Sequence, residues 1–264
     1  MQLYFSTNAV PAERWEHIHD YLDEFGEKVG LEIFPEFHKP CFEEKFHAEL
    51  EYLKRIPCSL HGPYYESEYA VSSQGNVYRH SIELLHKTLK EVAPLHPAYM
   101  VFHHSNMVVK QEEKTMLLQY ARENYQDVKH ICDGYNVSLA VENVTLATLR
   151  KGLFNQEEFI AECKELGCKV LIDIGHCNLS GWNIPYVISS LKNQIVSYHI
   201  HNNYGSFDDH LRIHDGILDF EEFLDAYKTY TPEADLVLEY SPEGAADVEG
   251  VKEDIRYLRR ELSL

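Results

Sequence analysis

At 264 residues, 44% hydrophobic and 25% charged, the chain has ample apolar material for a core, and its length matches the about 250 residues of a (β/α)8 barrel; a disordered chain is excluded. Its 43 acidic residues outnumber 24 basic ones for a net charge of −19, a field that repels nucleic acid and anionic membrane surfaces. No apolar run reaches the ~20 residues of a membrane span, and the start MQLYFSTNAV lacks the basic and apolar regions of a secretory signal, so a cytoplasmic protein is expected.

Short apolar, β-branched or aromatic runs recur in chain order at QLYFS (2–6), LEIFP (31–35), CSLHG (58–62), AYMVFHH (98–104), SLAVEN (138–143), KVLIDIGH (169–176), IVSYHIH (195–201) and DLVLEY (235–240). Several are apolar in succession rather than alternating, the pattern of strands covered on both faces in a parallel sheet. Helical patterns fill the gaps. Ile82, Leu85, Leu89 and Val92 form one stripe, EEFIAECKELG ends at Gly167 where a helix C-cap would sit, Asp219 with Glu222 forms a capping-box pattern, and VKEDIRYLRREL closes the series. Eight strands alternating with eight helices, without a linker or low-complexity segment, predict an α/β protein with a (β/α)8 TIM barrel as a single domain over 1–264. An open doubly wound sheet is the competing arrangement. No GxGxxG or GxxxxGK[ST] motif favours a nucleotide-binding version. The six cysteines, without a CxxC pair, are expected to be free thiols.

In a TIM barrel the catalytic groups sit at the C-terminal ends of strands. Here the third run ends at His61, the fourth at His103 and His104, the fifth at Glu142, the sixth at Asp173 with His176 just beyond, the seventh at His199 and His201, and the eighth at Glu239. A carboxylate ending an apolar strand is costly unless it is paired or bound to a cation. Glu142 follows LAV, Asp173 follows VLI and Glu239 follows LVL, so their convergence predicts a divalent metal. The stretch HIHNNYGSFDDH at 199–210 adds Asp208 and His210, spaced i, i+2 so that both face one way in an extended segment. A mixed nitrogen and oxygen set suits zinc, manganese, iron or cobalt rather than calcium.

The histidines at 17, 19, 38, 47, 80, 86, 96 and 130 fall on helix-like or early segments and read as structural or surface groups. His104, His201, Asn143, Tyr64 and Arg212 are candidate substrate contacts. Tyr65 is a further pocket candidate, and His214 is assigned to the surface. Arg150 and Lys151 lie in the loop after strand five, where a phosphate or a sugar could meet them.

The motifs LHGPY (60–64), VFHH (101–104), VEN (141–143), IDIGH (172–176), HIHNN (199–203), DDHLRIHDGILDF (208–220) and LEYSP (238–242) resemble the xylose isomerase-like TIM barrel superfamily. That group includes sugar isomerases and epimerases and the endonuclease IV type of AP endonuclease. The resemblance implies one divalent ion, Zn or Mn, on Glu142, Asp173, His199 and Glu239, with the two glutamates as the acid/base pair and His176 on a substrate oxygen. In the endonuclease relatives a three-zinc cluster adds ligands matching His61, His103, His176, Asp208 and His210. The implied activity is a divalent-metal-dependent isomerase or epimerase acting on a sugar or sugar phosphate, with a homo-oligomer left open. The alternative is a zinc phosphodiesterase acting on abasic DNA or another phosphodiester, against which the acidic total charge weighs.

Overall fold

A computed structural model describes residues 1–145 and 152–264; Arg150 and Lys151 lie outside the described residues. Eight parallel strands close into a barrel in sequence order, each hydrogen-bonded to its neighbours and β8 to β1. They are β1 (Leu3–Ser6), β2 (Gly30–Ile33), β3 (Cys58–His61), β4 (Met100–Phe102), β5 (Leu139–Glu142), β6 (Lys169–Asp173), β7 (Ile195–Ile200) and β8 (Asp235–Leu238). Each lies within one of the runs read from the sequence or starts one residue before it. Closure removes the open-sheet alternative.

The surrounding helices are α1 (Ile18–Leu22), α2 (Pro40–Ala48), α3 (Leu50–Leu53), α4 (Asn76–Val92), α5 (Lys114–Gly134), α6 (Gln156–Leu166), α7 (Ile174–Ser180), α8 (Ile184–Leu191), α9 (Phe220–Tyr230) and α10 (Val248–Glu261). Two gaps thus carry two helices each, where strict alternation predicts one. The run KVLIDIGH divides at Asp173, whose carboxylate accepts from the His176 backbone N–H at 2.6 Å and so starts α7. Strand becomes helix there because a capping side chain satisfies the first free amides. Gly167 ends α6 in the left-handed region at φ 59°. A reciprocal capping box opens that helix at Asn155 and Glu158, while Asp219 caps α9 by accepting from Glu222 N.

Alternation along each strand sorts the side chains into two cores. Leu31 and Ile33 of β2, Met100 and Phe102 of β4, Val170 and Ile172 of β6, and Tyr198 and Ile200 of β7 face outward into the large core beneath the helices. Tyr99, Val101, Ala140 and Leu171 form a small separate cluster inside the barrel. Two residues further along from the last three come His103, Glu142 and Asp173, so the same inner face that is apolar low in the barrel turns polar at its mouth. All six cysteines are free and five are buried. No helix among the described residues is long and apolar enough to cross a membrane.

Candidate metal centre

Register brings the inner-facing polar residues to one level. Asp173 pairs with His199 across β6 and β7, and His199 Nδ1 lies 3.1 Å from Glu239 Oε2, 3.4 Å from Glu142 Oε1 and 3.8 Å from Asp173 Oδ2. Glu142 looks both ways: its Oε2 meets His103 Nε2 at 2.7 Å and His61 Nε2 at 3.9 Å, and its Oε1 lies 3.3 Å from His176 Nδ1. Asp208 joins His176 and His210, at 3.1 and 3.2 Å from their Nε2 atoms. The four residues Glu142, Asp173, His199 and Glu239 and the five further candidates His61, His103, His176, Asp208 and His210 therefore occupy one cluster, buried except for the half-buried Asp208 and His210.

Three neighbouring groups emerge, the first two sharing Glu142. His61, His103 and Glu142 form the first; Glu142, Asp173, His199 and Glu239 surround the second; His176, His201, Asp208 and His210 form the third. His201 was expected to meet substrate, yet it is buried, its Nε2 lies 3.0 Å from Asp173 Oδ2, and its ring stacks on His210 with centroids 3.8 Å apart. It belongs with the ligand-type residues because 201, just past the end of β7, lies two positions after 199 along an extended chain and so faces the same way. A Cβ on Gly175 would overlap the His201 ring.

Most of these rings are steered by an acceptor outside the cluster. The Nδ1–H of His61 donates to Gly62 O at 2.7 Å, that of His176 to Asn143 O at 2.9 Å, and that of His210 to Glu239 O at 2.8 Å. A carbonyl can only accept, so each of these Nδ1 atoms must carry a proton. In a neutral ring the opposite nitrogen then turns a lone pair towards a carboxylate, an arrangement that needs a cation between them. His103 Nδ1 is tied to Asn106 Oδ1 at 2.7 Å.

Without a metal, protons fill that role. Burial disfavours the charged ring of His210, but Asp208 outweighs it and lifts the pKa to about 9. His176 and His199 are likewise lifted well above the usual value against burial, by Asp173 and Asp208 and by Glu239, Glu32 and Glu142 respectively. Burial raises the cost of the Glu142 charge, yet His103 and His199 hold its carboxyl well below the carboxylate range. His61 is driven the other way, down to about 4, chiefly by burial.

The residues present fit a divalent ion. Buried His199 Nδ1, His201 Nδ1 and Asp208 Oδ1 have no hydrogen-bond partner among the described residues, and His199 Nδ1 is ringed by three carboxylates. Imidazole mixed with carboxylate is the donor set of zinc, manganese, iron and cobalt.

Above the cluster opens a cavity of about 310 Å³, lined on its polar side by His61, His103, Glu142, His176, Asp208 and Glu239 and elsewhere by Asn8, Phe34, Tyr64, Val144 and Thr145. Tyr64 thus sits where a substrate contact was expected. Phe34 was missed; it follows β2 directly and its ring lies 4.6 Å from that of His61. Glu32 was also missed, although an acid between Leu31 and Ile33 carries the same signal as Glu142 within LAVE.

Three expected substrate contacts lie elsewhere. His104 points out of the barrel, because neighbours on a strand face opposite ways and His103 points in. Its ring packs against Phe102, Tyr125 and Phe154 at 5.1, 5.7 and 5.5 Å, neither nitrogen has a partner among the described residues, and burial pushes its pKa down to about 3. Replacing His104 with leucine is expected to stabilise the protein by ~1 kcal/mol at pH 7, since an apolar side chain removes two unsatisfied polar atoms. Chemical denaturation measures this, and a loss of stability would contradict the assignment.

Arg212 is committed to α10, with Nε and one terminal nitrogen on the two Asp254 oxygens at 2.8 and 3.0 Å. Asn143 bridges strand ends, donating to Asp173 O at 2.9 Å and accepting from Asp173 N at 2.8 Å. Both groups hold the mouth in shape. Exposed Tyr65 packs beside Phe34 and Tyr64 at the rim, and exposed His214 lies against Phe220 and Tyr257.

A family model described as "Xylose isomerase-like TIM barrel" matches residues 27–261. The uncharacterized protein MJ1614 of Methanocaldococcus jannaschii is 30% identical over 145 residues, 55% of this chain and 53% of that protein; the chain thus spans about half the length of this curated relative. Among solved structures, a D-tagatose 3-epimerase-like protein superposes with a TM-score of 0.75 at 18% identity, covering 99% of this chain and 100% of the other. The IolI protein with a bound zinc atom gives 0.74 at 16% identity, covering 100% and 98%. An AP endonuclease of family 2 from Brucella melitensis gives 0.73 at 12% identity, covering 97% and 99%. At these identities the structural likeness is one of fold.

Proposed function

Since the chain belongs to the xylose isomerase-like TIM barrel family, we propose that it is a divalent-metal-dependent isomerase or epimerase of a small sugar or sugar phosphate. One observation carries this reading: Glu142 and Glu239 both line the cavity and both face the same nitrogen, His199 Nδ1, at 3.4 and 3.1 Å. Two carboxylates placed over one bound substrate can act as a base and an acid. Glu142, Asp173, His199 and Glu239 would hold the ion, which when bound supplies Lewis acidity toward a carbonyl or phosphoryl oxygen. One glutamate takes the proton from the carbon beside the carbonyl. That carboxylic acid can return the same proton to the neighbouring carbon, giving the isomer; for epimerisation the second glutamate must enter the cycle protonated and delivers its proton to the opposite face, exchange with solvent then resetting both.

Tyr64 and Phe34 form the wall against which a small substrate packs. His176 lines the cavity too, but Asn143 O and Asp208 engage its two ring nitrogens; its role in this scheme is to hold the third ligand group rather than to donate to substrate. The cavity's volume is at the small end for ligand sites, in keeping with a monosaccharide.

A second reading, hydrolysis of a phosphodiester, is favoured by the three neighbouring ligand groups, two of which share Glu142 while the third lies beside it through His176 at 3.3 Å, a set with donors for three ions. Against a duplex substrate stand the net charge of −19 and a lining without lysine or arginine among the described residues. Elemental analysis joined to two assays separates the readings. We expect one ion per chain and deuterium uptake from D2O beside the carbonyl of a ketose, followed by NMR. Three zinc ions with cleavage of bis(p-nitrophenyl) phosphate or abasic duplex, and no exchange, would establish the hydrolase instead.

A further inference from the structure

We propose that Glu32 is a positioning residue that sets which nitrogen His199 presents to the metal centre. The inference rests on reading that cluster as a metal site, and it assigns a role to a side chain that does not line the cavity above it. Glu32 sits on the inner face of β2, paired in register with Ser59 of β3 and fully buried. Its Oε1 lies 2.9 Å from His199 Nε2, and its Oε2 accepts from Ser59 Oγ at 3.3 Å.

Such a placement is costly for a carboxylate. Inner positions lower in the barrel are filled by Val101, Ala140 and Leu171, and an apolar residue at 32 would fill the space without burying a charge. What the carboxylate achieves is directional. His199 has no backbone carbonyl to orient its ring, unlike His61, His176 and His210. Left alone, it could carry its proton on Nδ1 and donate to Glu239 or Glu142, closing the centre with an internal hydrogen bond. A fixed acceptor beneath Nε2 holds the proton there and turns the Nδ1 lone pair towards Glu142, Asp173 and Glu239. Buried Nδ1 has no hydrogen-bond partner among the described residues, as this arrangement requires. A carboxylate behind a ligating imidazole also makes the ring a stronger donor.

Glu32→Gln and Glu32→Met test the proposal by metal binding, read without turnover. Cobalt(II) is titrated into metal-free protein and followed by its visible absorption, with zinc competition giving the affinity. Both variants are expected to bind zinc about 10–100-fold more weakly than wild type, with an altered cobalt spectrum. Metal-free Glu32→Met should melt below the wild-type temperature, because it leaves the buried His199 Nε2 without a partner, and circular dichroism shows whether it still folds. Unchanged affinity and spectrum in both variants would overturn the proposal while leaving the metal centre standing. So would an affinity loss that appears only where circular dichroism shows the fold is lost. Wild-type protein that takes up neither cobalt nor zinc would instead overturn the reading of the centre itself.

Discussion

Glu239→Gln is expected to lower kcat by about 10²–10⁴-fold or more while the barrel stays folded. The glutamine keeps the shape of the glutamate but cannot take a proton, and as a neutral group it is a poorer partner for a cation. In the wild type, burial disfavours this charge, yet His199 and His210 overcome it and hold the carboxyl below its ordinary value; the group is therefore ionised and available as a base. Activity on the ketose identified by deuterium exchange, set beside a far-ultraviolet melt, measures the two halves of the expectation. Full activity in the variant would remove Glu239 from the chemistry.

Stripping the metal with a chelator should abolish turnover and lower the melting temperature, and restoring zinc or manganese should reverse both. A ligand at 100 times its dissociation constant stabilises by about 2.7 kcal/mol, which for a chain of this size corresponds to roughly 5–10 °C. The physical source is local. Glu32, Glu142, Asp173, Asp208 and Glu239 are gathered around six imidazoles, and only protons or metal ions can make that density of acid tolerable.

This substitution of protons for metal gives the stripped protein a characteristic pH response. His210 titrates near pH 9 in the metal-free fold against about 6.5 in the unfolded chain. Its contribution to stability is thus fully present below about pH 6.5 and is lost as pH rises through 9. Metal-free protein should lose stability over that window, and loaded protein should lose less. Parallel melts at pH 6.5 and 9, with and without zinc, test this; equal losses would show that the ion does not occupy the cluster.

The barrel was legible because its signal is repeated. Each of the eight apolar runs contains a strand or most of one, and a chain of this length with eight βα units has few ways to bury them. The candidate ligands were legible for a related reason: an acid or imidazole at the end of an apolar run violates the pattern around it. Glu142, Asp173 and Glu239 stood out in this way. Glu32 carried the same mark but lay inside its run rather than at the end, and a rule keyed to strand ends passed over it.

Other residues could not be sorted from the chain alone. His103 and His104 are neighbours of identical type, and the half-turn between successive strand residues sends one into the barrel and the other into the helix layer; without the position of the inner face, nothing distinguishes them. His201 was expected to meet substrate and instead lies among the ligand-type residues, its Nε2 3.0 Å from Asp173 Oδ2. Arg212 is one of few cations near the mouth, but Asp254, 42 positions away, occupies its guanidinium.

By itself the sequence determined the eight alternating strands and helices and the stock of acids and imidazoles at the strand ends, because hydrophobic period and strand-end composition are local properties of the chain; closure of the sheet was seen only in the structure. Tertiary structure alone decided how that stock is divided: which side chains converge on His199 Nδ1, which brace the rings from behind, and which are spent on holding loops. Those outcomes depend on register between strands and on acceptors supplied by distant segments, and no local pattern of residues encodes distances across a barrel.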